Sequence, residues 1–213
     1  MKNRNTFIVV LVAIVGIVGI STYAMSRNND GIMMSDNNMT SKTSSAEVSV
    51  QPDKTSADYK MMAAVNGEVY DHLFLANMIS HHQEAINMAN LALKNAKHHE
   101  IKDLAQAIVT TQTTELNSMV SWQATWGYPA SMEETNTGMM STLSNKTGDG
   151  FDKAFLEQMI MHHQSAIDMA ASGTHAQHQE VKDLTAAIIE AQTKEIKAMK
   201  QWQKNWGYSK QNN

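Results

Sequence analysis

The chain contains one stretch twice. Phe74–Ala89 reads FLANMISHHQEAINMA and Phe155–Ala170 reads FLEQMIMHHQSAIDMA. The segment after each copy repeats too: Ile101–Tyr128 aligns with Val181–Tyr208 residue against residue, down to a shared Trp-Gly-Tyr ending. The chain is therefore a duplicated two-helix unit, and each unit carries an apolar face that its twin can cover.

Residues outside the repeats read differently. Met1–Asn5 holds Lys2 and Arg4, Phe7–Ile20 is continuously apolar or Gly, and small residues come next at Thr22 and Ala24. A charged start, an apolar run and small residues form an export signal, or an uncleaved anchor if the run extends through Met25. Either form sends the rest of the chain out of the cytoplasm, to the periplasm or beyond, and the membrane is touched only through the N-terminal segment if it stays uncleaved. The expected domains are thus a leader at 1–25, a polar, disordered tether at 26–57, a helical domain at 58–208 and a short tail at 209–213. Met25, Met33, Met34 and Met39, and Met61 and Met62 just beyond, punctuate the tether region, where thioethers have little packing use.

Within the repeats the apolar spacing predicts four helices. The first begins between Ala57 and Tyr70, with Asn66-Gly67 as a kink or restart, and runs to about Asn95. The second runs from about His98 to Thr125 and stops at Gly127, with Pro129 beyond. A polar crossover at Ala130–Gly150 leads to a third helix, with Asp149 as its N-cap and Asp152 as an acidic residue in its first turn. That helix ends near Ser172 at Gly173, and the fourth runs from about Ala176 to Asn205. The fold class is all-α, a four-helix bundle of two αα-hairpins. A crossover of about twenty residues, extended at ~3.3 Å per residue, is long enough to run the length of a helix.

Composition narrows the chemistry. There are 17 Met and 9 His among 213 residues and no Cys. Methionine at about 8% is roughly three times ordinary usage. The net charge of -4 is spread along the chain and forms no basic patch for nucleic acid. Without Cys there is no disulfide framework, thiolate site or cysteine nucleophile.

On a helical wheel, Phe74, Leu75, Met78, Ala85, Ala89 and Ala92 share an apolar face with His82 in its middle. His81 and Met88 fall at its edge. The second copy repeats this with Met159 and His163 on the face, and His162 and Met169 at the edge. On the partner helices Glu115 and Met119, and likewise Glu195 and Met199, lie in apolar stripes. A buried carboxylate needs a partner or a metal, and His82 and His163 are the natural partners. Thioether plus imidazole is a soft-to-borderline donor set that favours Cu(I), with imidazole also serving Cu(II) and Ag(I) standing in for Cu(I). His98 and His178, in equivalent inter-helix turns, are further candidate ligands. The edge donors, His81 with Met88 or Met78 and His162 with Met169 or Met159, are expected to be the ones an ion can reach, and the central His82 and His163 to matter more for stability. The metal-free alternative is a polar layer of Glu and His that fixes helix register, with Met filling core gaps. No HExxH, GxSxG or P-loop pattern is present, and the helices lack the Glu-x-x-His motif of di-iron bundles.

These motifs resemble the domain-of-unknown-function 305 family. Its pattern of Met-x-x-His-His-x-x-Ala-x-x-Met-Ala, then a helix with Gln-x-x-Glu-Ile-x-x-Met-x-x-Trp, is matched by Met78, His81, His82, Ala85, Met88, Ala89, Gln112, Glu115, Met119 and Trp122. It is matched again by Met159, His162, His163, Ala166, Met169, Ala170, Gln192, Glu195, Ile196, Met199 and Trp202. The chain departs at Leu116 for Ile, and at Thr185 for an Ala earlier in the second helix. The resemblance implies a ferritin-like four-helix bundle. The combination of exported leader, Met-containing tether and two repeats implies a periplasmic copper-binding role. Copper is then the expected ion, and a copper exporter or other copper-handling protein the expected partner, with no catalysis. A redox enzyme using Glu115, Glu195, His82 and His163, and a metal-free helical interaction module, are the competing readings.

Overall fold

The computed structural model describes residues 49–130 and 138–209. The leader, the tether up to residue 48, Met132 and the last four residues lie outside the described residues. Among the described residues six α-helices run in order: α1 (Ala57–Ala63), α2 (Gly67–Asn95), α3 (His99–Trp126), α4 (Met139–Leu143), α5 (Gly148–Ala170) and α6 (Gln179–Asn205). A 3₁₀ turn, Gly173–His175, precedes α6. Helices α2, α3, α5 and α6 are the two duplicated hairpins, and α1 and α4 are short covering pieces.

Glycine stops the second helix of each hairpin. Gly127 and Gly207 adopt φ of 73° and 71°, a left-handed conformation that costs a residue without Cβ little. The chain reverses there, and the Tyr128 and Tyr208 amides donate to the carbonyls of Gln123 and Gln203.

The hairpins are tied together by carboxylates that cap helices other than their own. α3 and α6 begin after His98 and His178, neither of which caps with its own side chain. Asp152 of α5 accepts from the amides of Lys97 and His98 and from His98 Nδ1, at 2.9, 3.0 and 2.6 Å. Asp71 of α2 does the same for Gln177, His178 and His178 Nδ1, at 3.0, 3.0 and 2.6 Å. Both aspartates are fully buried. Each satisfies two orphan amides and places a negative charge at a helix N-terminus, where the macrodipole favours it. The expectation that Asp149 and Asp152 cap their own helix is corrected. Thr147 is the N-cap of α5, Asp149 accepts from Lys97 Nζ and Tyr208 Oη, and Asp152 lies far enough along α5 to face α3.

These contacts fix the topology. The end of α2 meets the start of α5, and Tyr70 Oη, near the start of α2, donates to the Met169 carbonyl near the end of α5. α2 and α5 are therefore antiparallel. α3 ends where α6 begins, with Trp126 stacked on His178, whereas α5 begins at the far end of the bundle. The described residues on either side of the crossover thus lie at opposite ends, which is the ferritin-like arrangement rather than simple up-down winding.

The core reflects the duplication. Tyr70 stacks on Phe74 at 5.8 Å, and the equivalent Phe151 on Phe155 at 5.9 Å, all four fully buried. Burying one such ring is worth roughly 2–3 kcal/mol. The helical stretch before Gly67 separates into α1, as the Asn66-Gly67 break suggests. Residues 49–56, expected to be part of the disordered tether, instead lie on α5. Val50 is buried, the Asp53 amide donates to Asp168 Oδ1, and Gln164 Nε2 donates to the Gln51 carbonyl. Thr185 fits because Gly173 faces it: a Cβ there would sit 1.9 Å from Thr185 Oγ1.

Asp152→Asn should destabilise the bundle by about 3 kcal/mol, because it removes the charge that two amides and an imidazole share in a buried place. Urea unfolding at constant pH measures this, and a loss under about 0.5 kcal/mol, the scatter of ordinary surface changes, would show the clamp to be incidental.

Candidate metal centre

The antiparallel contact of α2 with α5 carries one copy of the repeated motif against the other. His81 and His162 occupy equivalent positions, and their rings meet with centroids 3.6 Å apart and a 32° tilt. Both ring nitrogens of His81 and both of His162 are shut off from solvent and have no hydrogen-bond partner. Four orphan imidazole nitrogens in a core are expensive unless something occupies them.

His82 and His163 stand beside this pair. His82 Nε2 donates to Glu115 Oε2 at 2.7 Å, and His163 Nε2 to Glu195 Oε2 at 2.6 Å, all four residues being buried. The remaining Nδ1 of each ring is buried without a partner. An imidazole that gives one N–H to a carboxylate presents a lone pair at its other nitrogen, the usual arrangement of a metal-ligating histidine and the group that orients it. The Oε1 atoms of Gln112 and Gln192, one turn before each Glu, are also buried and unpartnered.

Burial sets the charge of the central pair. It lowers the pKa of His81 to about 3, with the neighbouring imidazoles His82 and His163 adding to the effect. It also lowers that of His162 well below its ordinary value, with His81 the next contributor. Both rings are neutral at pH 7, so an ion meets lone pairs and displaces no proton there.

The methionines divide around the pair. Met78, Met119 and Met169 belong to one apolar cluster, and Met88, Met159 and Met199 to the other. All six are buried, with Met169 the most exposed at 5%. The covering helices add thioethers to the same clusters, Met61 and Met62 of α1 to the first, Met139 and Met140 of α4 to the second.

The sequence-based division into edge and central donors is corrected. His162, Met88 and Met169 are buried rather than at an edge, because α2 and α5 each pack on two neighbours and bury a wider face than the hairpin alone requires, whereas His81 is half-buried with both ring nitrogens shut off from solvent. His98 and His178 are not brought to the centre. They lie at opposite ends of the bundle, each held by its aspartate and stacked on Trp206 or Trp126 at 3.8 and 3.7 Å. Glu84 escapes the sequence reading. Its Oε2 stands 3.7 Å from His162 Nε2, and it is 7% exposed. A wheel position next to Ala85 on the buried side is the one available signal. Among the described residues no three His, Asp or Glu side chains converge tightly enough to enclose an ion as they stand. The donors that fit a metal are therefore imidazoles with thioethers around them, a set suited to soft and borderline ions.

A ferritin-like four-helix bundle with paired imidazoles on the axis between two copies of one motif defines the class. The chain belongs to the DUF305 family, a domain of unknown function, whose family model matches residues 21–123 and again 71–203. It is similar to CopM in its Cu(II)-bound form, with 39% identity over 64% of this chain and 98% of that one and a TM-score of 0.57. The Cu(I)-bound form of CopM gives 38% identity over 64% and 96%, with a TM-score of 0.60. A DUF305 protein of Streptomyces coelicolor, at 22% identity over 66% of this chain and 94% of that one with a TM-score of 0.60, shares the fold. No curated protein matches the chain.

In the metal-free protein, His82→Ala should cost about 3–5 kcal/mol, since it strands the buried Glu115 carboxylate, and should lower the melting temperature accordingly. Stability should also fall as pH drops from about 6.5 towards 3. Over that window the unfolded chain protonates His81 and His162 while the folded chain does not, so the unfolded state binds more protons. A His81→Phe/His162→Phe double variant, unfolded by urea between pH 7 and pH 4, should lose most of that slope. An unchanged slope would place the titration elsewhere.

Proposed function

We propose that this chain is an exported copper-binding protein that sequesters or hands on copper without catalysis, and so confers copper tolerance. The observation that carries the reading is the stacked pair His81 and His162, whose four ring nitrogens are buried and unpartnered between two methionine-bearing clusters. Neutral imidazoles with thioethers nearby hold Cu(I) and its surrogate Ag(I), and imidazole extends the range to Cu(II). The likeness to CopM, a protein with Cu(I)-, Cu(II)- and Ag-bound structures, supports the same cargo here. The charged and apolar N-terminus supports export, with the bundle free or held at the membrane by that segment. The partner would be a copper exporter or another copper-handling protein, since a cargo held by neutral donors in a bundle without a rigid cage can be passed on.

Competition titration with Ag(I) tests this. The parent should bind with high affinity, and the His81→Ala/His162→Ala double variant should lose the tightest site. Met88→Leu with Met159→Leu, which keeps the volume and removes only sulfur, should weaken binding by about tenfold, or 1.4 kcal/mol. Parent-like affinity in both variants would leave the metal-free interaction module as the better reading. Metal-dependent oxygen consumption by the copper-loaded parent would favour the redox enzyme.

A further inference from the structure

One of the positions at which the two copies differ puts a buried carboxylate beside the centre. Where α2 has Glu84, α5 has Ser165. The two residues also behave differently. Ser165 Oγ is engaged with α1, donating to Asp58 Oδ2 at 2.6 Å. Glu84 points its Oε2 across the helix pair to within 3.7 Å of His162 Nε2, with both side chains almost wholly buried, at 6% and 1% exposed. The centre therefore has one carboxylate on one side and none from the equivalent position on the other.

We propose that Glu84 is the carboxylate arm of the His81–His162 centre and sets it to accept Cu(II) as well as soft monovalent ions. The proposal rests on the copper-centre reading. A separation of 3.7 Å is too long for a hydrogen bond. It is the spacing of two donors that share an ion, since ligand atoms each about 2.0–2.2 Å from one metal stand roughly 3–4 Å apart. Nitrogen and oxygen together form the donor set that Cu(II) prefers, whereas thioethers serve Cu(I) and Ag(I). Charge acts in the same direction. A carboxylate attracts a dication twice as strongly as a monocation at the same distance, and the difference is magnified away from water. Glu84 thus discriminates by ligand type and by charge, while the imidazole pair serves both ions. The sequence distinguishes this residue from the rest of the motif, because the second copy keeps His162, His163 and Met169 but not the carboxylate.

Glu84→Gln keeps the size and removes the charge. Cu(II) in glycine-buffered titrations and Ag(I) in a parallel competition give the two affinities for the parent, the Glu84→Gln variant and the His81→Ala/His162→Ala variant. The expected result is a fall of at least about tenfold in the Cu(II)-to-Ag(I) affinity ratio for Glu84→Gln. It should come with a changed Cu(II) electron paramagnetic resonance spectrum. An unchanged ratio or an unchanged spectrum overturns the inference and leaves the centre standing, as does a parent that binds Ag(I) but not Cu(II). Parent-like binding of both ions by the double histidine variant overturns the centre, and the inference with it.

Discussion

Two buried aspartates hold this molecule in register. Asp71 and Asp152 each take two amides from the start of a helix in the other repeat and a ring N–H from the histidine beside them. No hairpin could supply these caps for itself, because each aspartate lies on the first helix of its repeat and serves the second helix of the other. The clamps therefore act between repeats. They set α2 against α5 in antiparallel fashion, and that pairing puts His81 on His162. Without it the two motifs would be two amphipathic faces, each with a histidine at its rim.

The centre combines two electrostatic treatments of the same residue type. His82 and His163 are neighbours in sequence of the central pair, yet each has a buried carboxylate to accept its N–H. His81 and His162 have one another and a low-dielectric surrounding, which disfavours their charged forms and keeps the lone pairs free. The adjacent histidines of each motif thus divide the work. One is anchored and braces the partner helix, and the other is left chemically open. A single histidine per repeat could not do both.

Much of this is legible in the sequence. The two-helix unit, its duplication, the glycine stops and the pairing of Glu115 with His82 come from local spacing, and local spacing is what a helical wheel reports. The illegible part depends on which helix packs against which at long range. The wheel assigns one buried face to α2, but α2 faces both α3 and α5, so it puts Met88 at an edge it does not occupy and leaves the buried nitrogens of the half-buried His81 unforeseen. The aspartate caps are hidden for the same reason: a capping box is read within one helix, and Asp152 caps another. In the sequence Glu84 is a polar residue beside Ala85. Its meaning depends on His162, which is distant in the chain and brought near only by the clamps.

The exceptions to the duplication carry information that the symmetry does not. Symmetry accounts for a paired site, since any residue near the axis meets its own counterpart. It also makes the two sides of that site chemically equal, so an ion would see the same donors from either direction. The chain departs from this at Glu84 and Ser165, and again in the pieces that cover the bundle. α1 follows the N-terminal segment in sequence and sets Met62 fully inside one methionine cluster, whereas α4 comes from the crossover and lays half-buried Met139 and Met140 on the other. A site with a carboxylate on one flank and unequal thioether covers at its two ends has a direction. Under the proposed copper-binding role that matters physically, because a symmetric trap offers an ion no preferred route in or out. In that role, unequal donors along the α2–α5 interface would offer an ion different affinities from its two ends.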